Sequence, residues 1–341
     1  MTNIVNIQGT EAGSVTEGLP TLTLAGLIDQ YTTHKASNFH KLRYHVRQNS
    51  ARLLERLAEQ HGPTALTAIR ASTIQIWYDE WSGTGKVAMA HSFISQMRTM
   101  FGFGLLMLEE KECERLCITM NKMRFKNVQP RSVWLTADQA TAIREAARNH
   151  FGWYSLALAQ AFQFELMFRQ RDVVGEWVPE AEPGESDVRH NGMKWLRGVR
   201  WSEIDDNLML RHLTSKRQKN IEVNLRHAPM ILEEFKHITY RTPDGPIIIN
   251  DVTGLPWSAN EYRRKWRLVA DFCGVPKEVK NCDSRAGAIT EATEAGADIE
   301  HVRHAATHSD ITQTQTYSRG AAKKIENVQQ KRLTHRYRDR G

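Results

Sequence analysis

Residues Glu300–Gly320, EHVRHAATHSDITQTQTYSRG, set His308 nine residues before Tyr317 and fill the interval with Ser, Asp, Thr and Gln. Those residue types favour caps and turns over a continuous helix, so Tyr317 is not placed like a core residue. Just upstream, in NCDSRAGAITEATEAG, Arg285 opens an Ala-rich helical run that closes at Gly296, a suitable residue to follow a helix C-terminus. Asp298 can then cap a short helix with Ile299 and Val302 on one face, delivering His308 at the next turn. The local expectation is helix, turn, helix, turn, tyrosine.

Arg285, His308 and Tyr317, in this order, resemble the C-terminal half of the tyrosine recombinase (phage integrase) family. The family pattern is a His-x-x-Arg box, a Leu-Gly-His box and a nucleophilic tyrosine, and HSDITQTQTY matches its last portion. The resemblance implies two further residues upstream, an arginine and a lysine. A helix expected over Trp153–Phe168, apolar nearly all round, runs into LMFRQRDVVGEW, which places Arg169 at its end, three residues before Asp172, matching the family's Arg-x-x-Glu spacing with Asp in place of Glu. Arg171 is the rival, and Arg169 is preferred because Arg200-Trp-Ser-Glu-Ile-Asp205 then matches the family's Arg-Trp-x-x-Ile-Asp strand entry. Between these boxes, residues 178–199 are longer than the family's usual connection and suggest a surface loop or hairpin.

LMLRHLTSKRQKNIEVNL follows as two short alternating runs around a charged turn, a hairpin by pattern. The family carries its catalytic lysine in such a hairpin, and counting back from Val223 gives Lys216, with Lys219 the alternative. The set is chemically coherent. A tyrosine hydroxyl that breaks a phosphodiester needs donors matched to a phosphorane and an acid for the departing 5′-oxygen. Arg169 and Arg285 offer planar forks, His308 a further hydrogen bond, and Lys216 the acid. No clustered carboxylates accompany them, so neither metal nor cofactor is expected. One position departs from the family: Cys282 stands where the His-x-x-Arg box has histidine, and an ordinary thiol is a poorer proton acceptor at neutral pH than imidazole. The position is read as auxiliary.

The remainder of the chain fits two domains. Its 341 residues carry 46 Lys and Arg against 39 Asp and Glu, a net charge of +7, which suits a polyanionic partner. Four cysteines form no CxxC pair and point to reduced thiols in a cytoplasmic protein. The N-terminus lacks the regions of an export signal, and no apolar run is long enough to span a bilayer. Residues 1–20 suggest a flexible tail, and 21–121 an all-α domain of four helices with Lys41, Arg43, Arg47, Arg52 and Arg56 on one face. Residues 122–133 form a basic linker, 134–320 a mainly helical catalytic domain with a small antiparallel sheet, and 321–341 a basic tail with Ile325 and Val328 as apolar anchors.

The segment 21–121 resembles the family's N-terminal core-binding domain, which implies a DNA clamp, and Arg43, Arg47, Lys122, Arg124, Lys126, Arg131 and Lys219 are assigned as phosphate-binding residues. A C-shaped grip on double-stranded DNA is implied, with four protomers assembling on two sites. The implied function is site-specific recombination, integrating or excising a mobile element, and the short segment before residue 21 favours a simple recombinase. Two alternatives are a topoisomerase-like nicking and resealing enzyme and a non-catalytic DNA-binding protein on the same fold. His301, His304 and His308 invite comparison with a zinc site, but Ala305 stands between the last two rather than the required glutamate. Trp77, Trp81, Trp134 and Trp153 fit cores better than base stacking.

Overall fold

The computed structural model describes residues 22–83, 85–129, 131–216, 218–239, 241–317, 328–334 and 336, apart from the side chains of Gln313, Thr316 and Tyr317. The expected tail over 1–20 and most of the segment 321–341, Ile325 included, lie outside the described residues. The chain divides into two compact units, Met1–Gln129 and Pro130–Gly341, at a point inside the segment 122–133.

The first unit is built from five helices, α1 (Leu24–Thr33), α2 (Tyr44–His61), α3 (Ala71–Ser82), α4 (Val87–Met107) and α5 (Lys111–Lys122). Apolar residues at helical spacing meet in one core: Leu24, Leu27 and Tyr31 of α1, Leu53, Leu54 and Leu57 of α2, Trp77, Tyr78 and Trp81 of α3, and Phe93, Met97 and Phe101 of α4. Sequence periodicity suggested four helices, the fourth ending near Glu110; α5 has no comparable apolar run, burying only Cys113, Leu116 and Met120. The break comes at Glu109, which takes a left-handed φ of 51°, after which the Glu110 side chain caps α5. Cys113 and Leu116 then turn into the core.

The second unit contains α6 (Ala137–Asn149), α7 (Tyr154–Glu165), α8 (Gln170–Val174), α9 (Pro229–Phe235), α10 (Ala259–Phe272), α11 (Asp283–Glu294), α12 (Ile299–Ala305) and α13 (Ile311–Tyr317). Thr136 and Gln139 cap α6 reciprocally, the Thr hydroxyl accepting from Gln139 N–H and the Gln side chain from Thr136 N–H. Helix α7 is buried nearly all round and forms the axis of this unit, with α6, α9 and α11 packed on it.

Two antiparallel sheets flank the helices. β1 (Glu176–Pro179), β3 (Met193–Leu196) and β2 (Arg189–His190) pair in the order β1-β3-β2, so the segment 178–199 is sheet at both ends. β4 (Met209–Leu213) pairs with β5 (Asn220–Asn224) in the register His212 to Ile221, the hairpin expected from the alternation. Residues 200–205 form no continuous strand: Trp201–Glu203 make a 3-10 turn, flanked by isolated bridges from Arg200 to Pro246 and from Ile204 to Leu210. The Glu203 carboxylate accepts from Arg200 N–H at 2.9 Å, a local bond that closes the turn in preference to extended pairing.

Candidate active site

Helix α7 stops at Glu165, so Arg169 does not end it but opens α8. The chain turns at Met167, whose φ is 53°, and Arg169 is extended at φ −73° and ψ 150°. Asp172, in the first turn of α8, holds this corner. One carboxylate oxygen accepts from Arg169 N–H at 3.3 Å, and the other accepts from Ser215 N–H at 2.6 Å. Asp172 is 1% exposed, so these bonds are made away from competing water. The residue after Ser215 is Lys216, exposed in the turn of the β4–β5 hairpin. A single carboxylate therefore ties the arginine corner to the lysine turn. Lys219 instead closes the hairpin with its backbone, exchanging bonds with Thr214.

The Arg169 guanidinium donates to Thr307 Oγ1 at 3.1 Å. Arg171 goes elsewhere, its Nε 3.2 Å from the buried Glu176. Thr307 also has a left-handed φ, 52°, at the corner between α12 and α13. Non-glycine residues of this kind are costly and concentrate where a surrounding structure holds them for a purpose. Here both such corners face arginines. Arg285, in the first turn of α11, donates to the Met167 carbonyl at 2.5 Å and to the Ala306 carbonyl. The two arginines thus span the same pair of corners in opposite senses.

Helix α11 is brought close enough for this by a glycine and a polar seam. A Cβ on Gly287 would overlap the Leu135 carbonyl, so only glycine permits the approach. Gln160 of α7 donates to Ser284 Oγ at 2.5 Å and accepts from Trp266 Nε1, while Gln163 exchanges bonds with Asn281 and accepts from Tyr262 Oη at 2.9 Å. The sequence reads this helix as apolar nearly all round and gives these glutamines no role. Their interruption of an otherwise apolar run was the available signal. Thr307 and Thr314 were missed as well, having no pattern beyond their nearness to His308.

His308 is 4% exposed, and its Nδ1 lies 3.0 Å from Thr314 Oγ1 on α13. Asp310 caps that helix by accepting from Thr312 N–H at 2.9 Å, so the expected turn before Tyr317 becomes one further short helix. Tyr317 is its last residue, three beyond Thr314, a spacing that puts two backbone positions on one helix face. Burial first, then the positive charges of Arg285, Arg169 and Lys216, push the imidazole down to about 4. His308 is therefore neutral at neutral pH. The same shift makes stability pH-dependent. Above the ordinary 6.5 neither folded nor unfolded His308 carries a proton, and its contribution is complete. Between 6.5 and 4 the unfolded chain binds the proton first, so stability falls with pH until the loss is full below 4. At ~1.4 kcal/mol per unit, the His308 share is roughly 3–4 kcal/mol. Urea unfolding across this window should show that slope, and His308→Asn should flatten it.

Cys282 precedes α11. The residue is exposed but its Sγ turns toward the protein, 3.9 Å from Asp283 Oδ1. Desolvation first and the Asp283 charge second push the thiol up, which keeps it protonated at neutral pH. Arg131, assigned to DNA from sequence, is held by Asp283 through Nε at 3.1 Å and Nη2 at 2.5 Å. Arg47 donates to the Leu42 carbonyl at 2.9 Å, close to Arg43 at the start of α2. Lys122, Arg124 and Lys126 are exposed. His301 and His304 are exposed on α12 while His308 is buried beyond it, so the three do not converge. Among the described residues no group of three His, Cys, Asp or Glu is arranged to hold a metal ion, and no helix is long and apolar enough to cross a membrane.

The chain has the fold of the tyrosine recombinases. It is similar to a lambda integrase fragment, residues 75–356, in a dimer bound to a COC' core site, at 18% identity and a TM-score of 0.67, covering 88% of this chain and 97% of that one. A lambda integrase tetramer bound to a Holliday junction gives the same identity and TM-score over 88% and 79% of the two chains. The Tn1549 transposon integrase, in complex with a circular intermediate DNA, is similar at 12% identity and a TM-score of 0.64, over 92% and 99%. No protein-family model and no curated protein matches the sequence.

Proposed function

We propose that this protein is a tyrosine-type site-specific recombinase that cuts and rejoins double-stranded DNA through a 3′-phosphotyrosine intermediate, integrating or excising a mobile element. The observation that carries this reading is the grouping around His308. Three cationic side chains from three separate elements, Arg285, Arg169 and Lys216, act on one buried imidazole. The imidazole's partner, Thr314, lies on the helix that ends in Tyr317. Such a concentration of donors is costly to assemble and suits a polyanionic reaction centre. The likeness to integrases solved on DNA supports the choice of substrate.

In the reaction, Tyr317 Oη attacks phosphorus, the bond from phosphorus to the 5′-oxygen breaks, and Lys216 gives that oxygen its proton. Arg169 and Arg285 bind the non-bridging oxygens. A guanidinium has five N–H donors, so anchorage of Arg285 to two backbone carbonyls is compatible with contact to phosphate. His308, neutral, completes the donor set through Nε2, because Nδ1 faces Thr314. Phosphotyrosine conserves the bond energy, and a 5′-hydroxyl from another strand reverses the attack. Strand exchange then requires four protomers on two DNA sites, with Arg43, Arg47, Lys122, Arg124, Lys126 and Lys219 contributing phosphate contacts. Arg131 has its ion pair with Asp283 to break before it can do the same.

The test uses duplexes tiled from DNA around the encoding gene, each nicked so that a short cleaved fragment diffuses away and traps the intermediate. The expected result is an SDS-resistant protein–DNA adduct whose linkage maps to the peptide containing Tyr317. Absence of any adduct on DNA that the protein demonstrably binds would overturn the proposal in favour of a non-catalytic DNA-binding role.

A further inference from the structure

The hairpin that carries Lys216 is held from below by a second device, distinct from the Asp172 bond. His212 sits on β4, 3% exposed, with Nδ1 3.0 Å from both carboxylate oxygens of Glu203. Its ring packs on Phe168, the residue before Arg169, with centroids 5.5 Å apart and planes at 30°. Its Nε2 is buried and has no hydrogen-bond partner among the described residues. Glu203 is itself fixed by the Arg200 N–H bond that closes the 3-10 turn. The chain Arg200, Glu203, His212, Phe168 therefore leads without a break from the body of the unit to the corner of Arg169. It passes under the strand that ends in the lysine turn.

A buried imidazole with one nitrogen unsatisfied is an expensive wedge. Leucine would fill the position on Phe168 and leave no polar atom stranded. The cost is explained if orientation, rather than burial, is what the position supplies. Glu203 grips the ring at one nitrogen and so fixes its plane, and a plane set against Phe168 fixes β4 in register against the arginine corner. With Ser215, two residues beyond the end of β4, held by Asp172, the hairpin is pinned at two points just before Lys216.

We infer that His212, oriented by Glu203, is a positioning residue that places Lys216 to protonate the departing 5′-oxygen. This rests on the recombinase reading above. General acid catalysis contributes factors of about 10²–10⁴, and a misplacement of ~1 Å can forfeit a hundredfold.

The test compares two versions of one nicked duplex that the unaltered protein cleaves, one with the natural 5′-oxygen at the scissile phosphate and one with sulfur there. With oxygen, the phosphorus–oxygen bond breaks and the oxygen takes a proton from Lys216. With sulfur, the phosphorus–sulfur bond breaks and a thiolate leaves with the electron pair, stable without a proton. Lys216→Ala serves as the reference for loss of the acid and should be slow on oxygen and restored on sulfur. His212→Leu should slow covalent adduct formation on the oxygen substrate about tenfold to a hundredfold and match the unaltered protein on the sulfur substrate. His212→Leu that is equally slow on both substrates, or normal on both, overturns the inference. Should that variant fail to fold, Glu203→Gln keeps the shape but weakens the grip on the ring, and it should show a smaller loss with the same restoration by sulfur. If no duplex yields an adduct with the unaltered protein, the recombinase reading itself falls, whereas adduct formation by the unaltered protein with no sulfur restoration of His212→Leu sinks only this inference.

Discussion

Arg285→Ala should lower the rate of covalent attachment to DNA about a thousandfold while leaving DNA binding measurable. Removal of one preorganised donor from a reaction centre typically costs a factor of about 10²–10³, and an arginine removes a two-point contact together with its charge. A second component is structural. The Met167 and Ala306 carbonyls lose their shared donor, and a stranded buried carbonyl costs about 1–3 kcal/mol. Arg285→Lys separates the two. It keeps the charge but not the planar fork, so it should recover binding and part of the stability while remaining at least about tenfold slow. A time course of adduct formation beside urea unfolding reads both components. A near-normal rate in a folded Arg285→Ala protein would remove Arg285 from the chemistry.

Glu234→Ala should destabilise the second unit by about 4 kcal/mol without touching the reaction centre. Glu234 is 1% exposed and accepts from Arg144 Nε at 2.9 Å and Arg148 Nη1 at 2.7 Å, joining α9 to α6. Arg144 is 2% exposed. With Glu234 gone, the two guanidinium groups keep Glu233 as their carboxylate partner, whose side chain is 45% exposed and better screened. Breaking a buried pair from one side is far more damaging than replacing the whole of it, because the orphaned charge stays behind. Glu234→Gln should lose less, since the amide oxygen still accepts. Urea unfolding of the three proteins gives the order, and equal stabilities for Ala and unaltered protein would show that Glu233 compensates fully.

The grouping of the residues picked out by spacing was legible in the sequence. Arg285, His308 and Tyr317 are separated by short segments whose caps, Asp298 and Gly296, fix the local path, so linear distance translates into spatial distance. Arg169 and Lys216 were picked by register alone, and the structure brings both within electrostatic reach of His308. What stayed hidden depends on contacts far apart in sequence. Nothing near Asp172 announces that its second oxygen will hold Ser215, and no local pattern distinguishes Arg131, paired with Asp283, from a phosphate-binding arginine. The end of α7 was misplaced for a related reason. Leu166, Met167 and Phe168 are apolar enough to continue a helix, and the left-handed turn at Met167, whose carbonyl accepts from Arg285, comes without any breaker residue.

The seam between α7 and α11 has a consequence for alignment. Gln160 and Gln163 on one side and Ser284 and Asn281 on the other are each spaced by three residues, so the two rows fit like teeth cut to the same pitch. Apolar helices can slide against each other by a turn and exchange one greasy contact for another. Here a slip of one turn would strand buried amides and hydroxyls all at once, with no shallow intermediate between locked and unlocked. The address of Arg285 along its neighbour is thus digital rather than continuous. A protein whose chemistry tolerates little error in the placement of a guanidinium has, in this row of four polar side chains, its means of refusing every register but one.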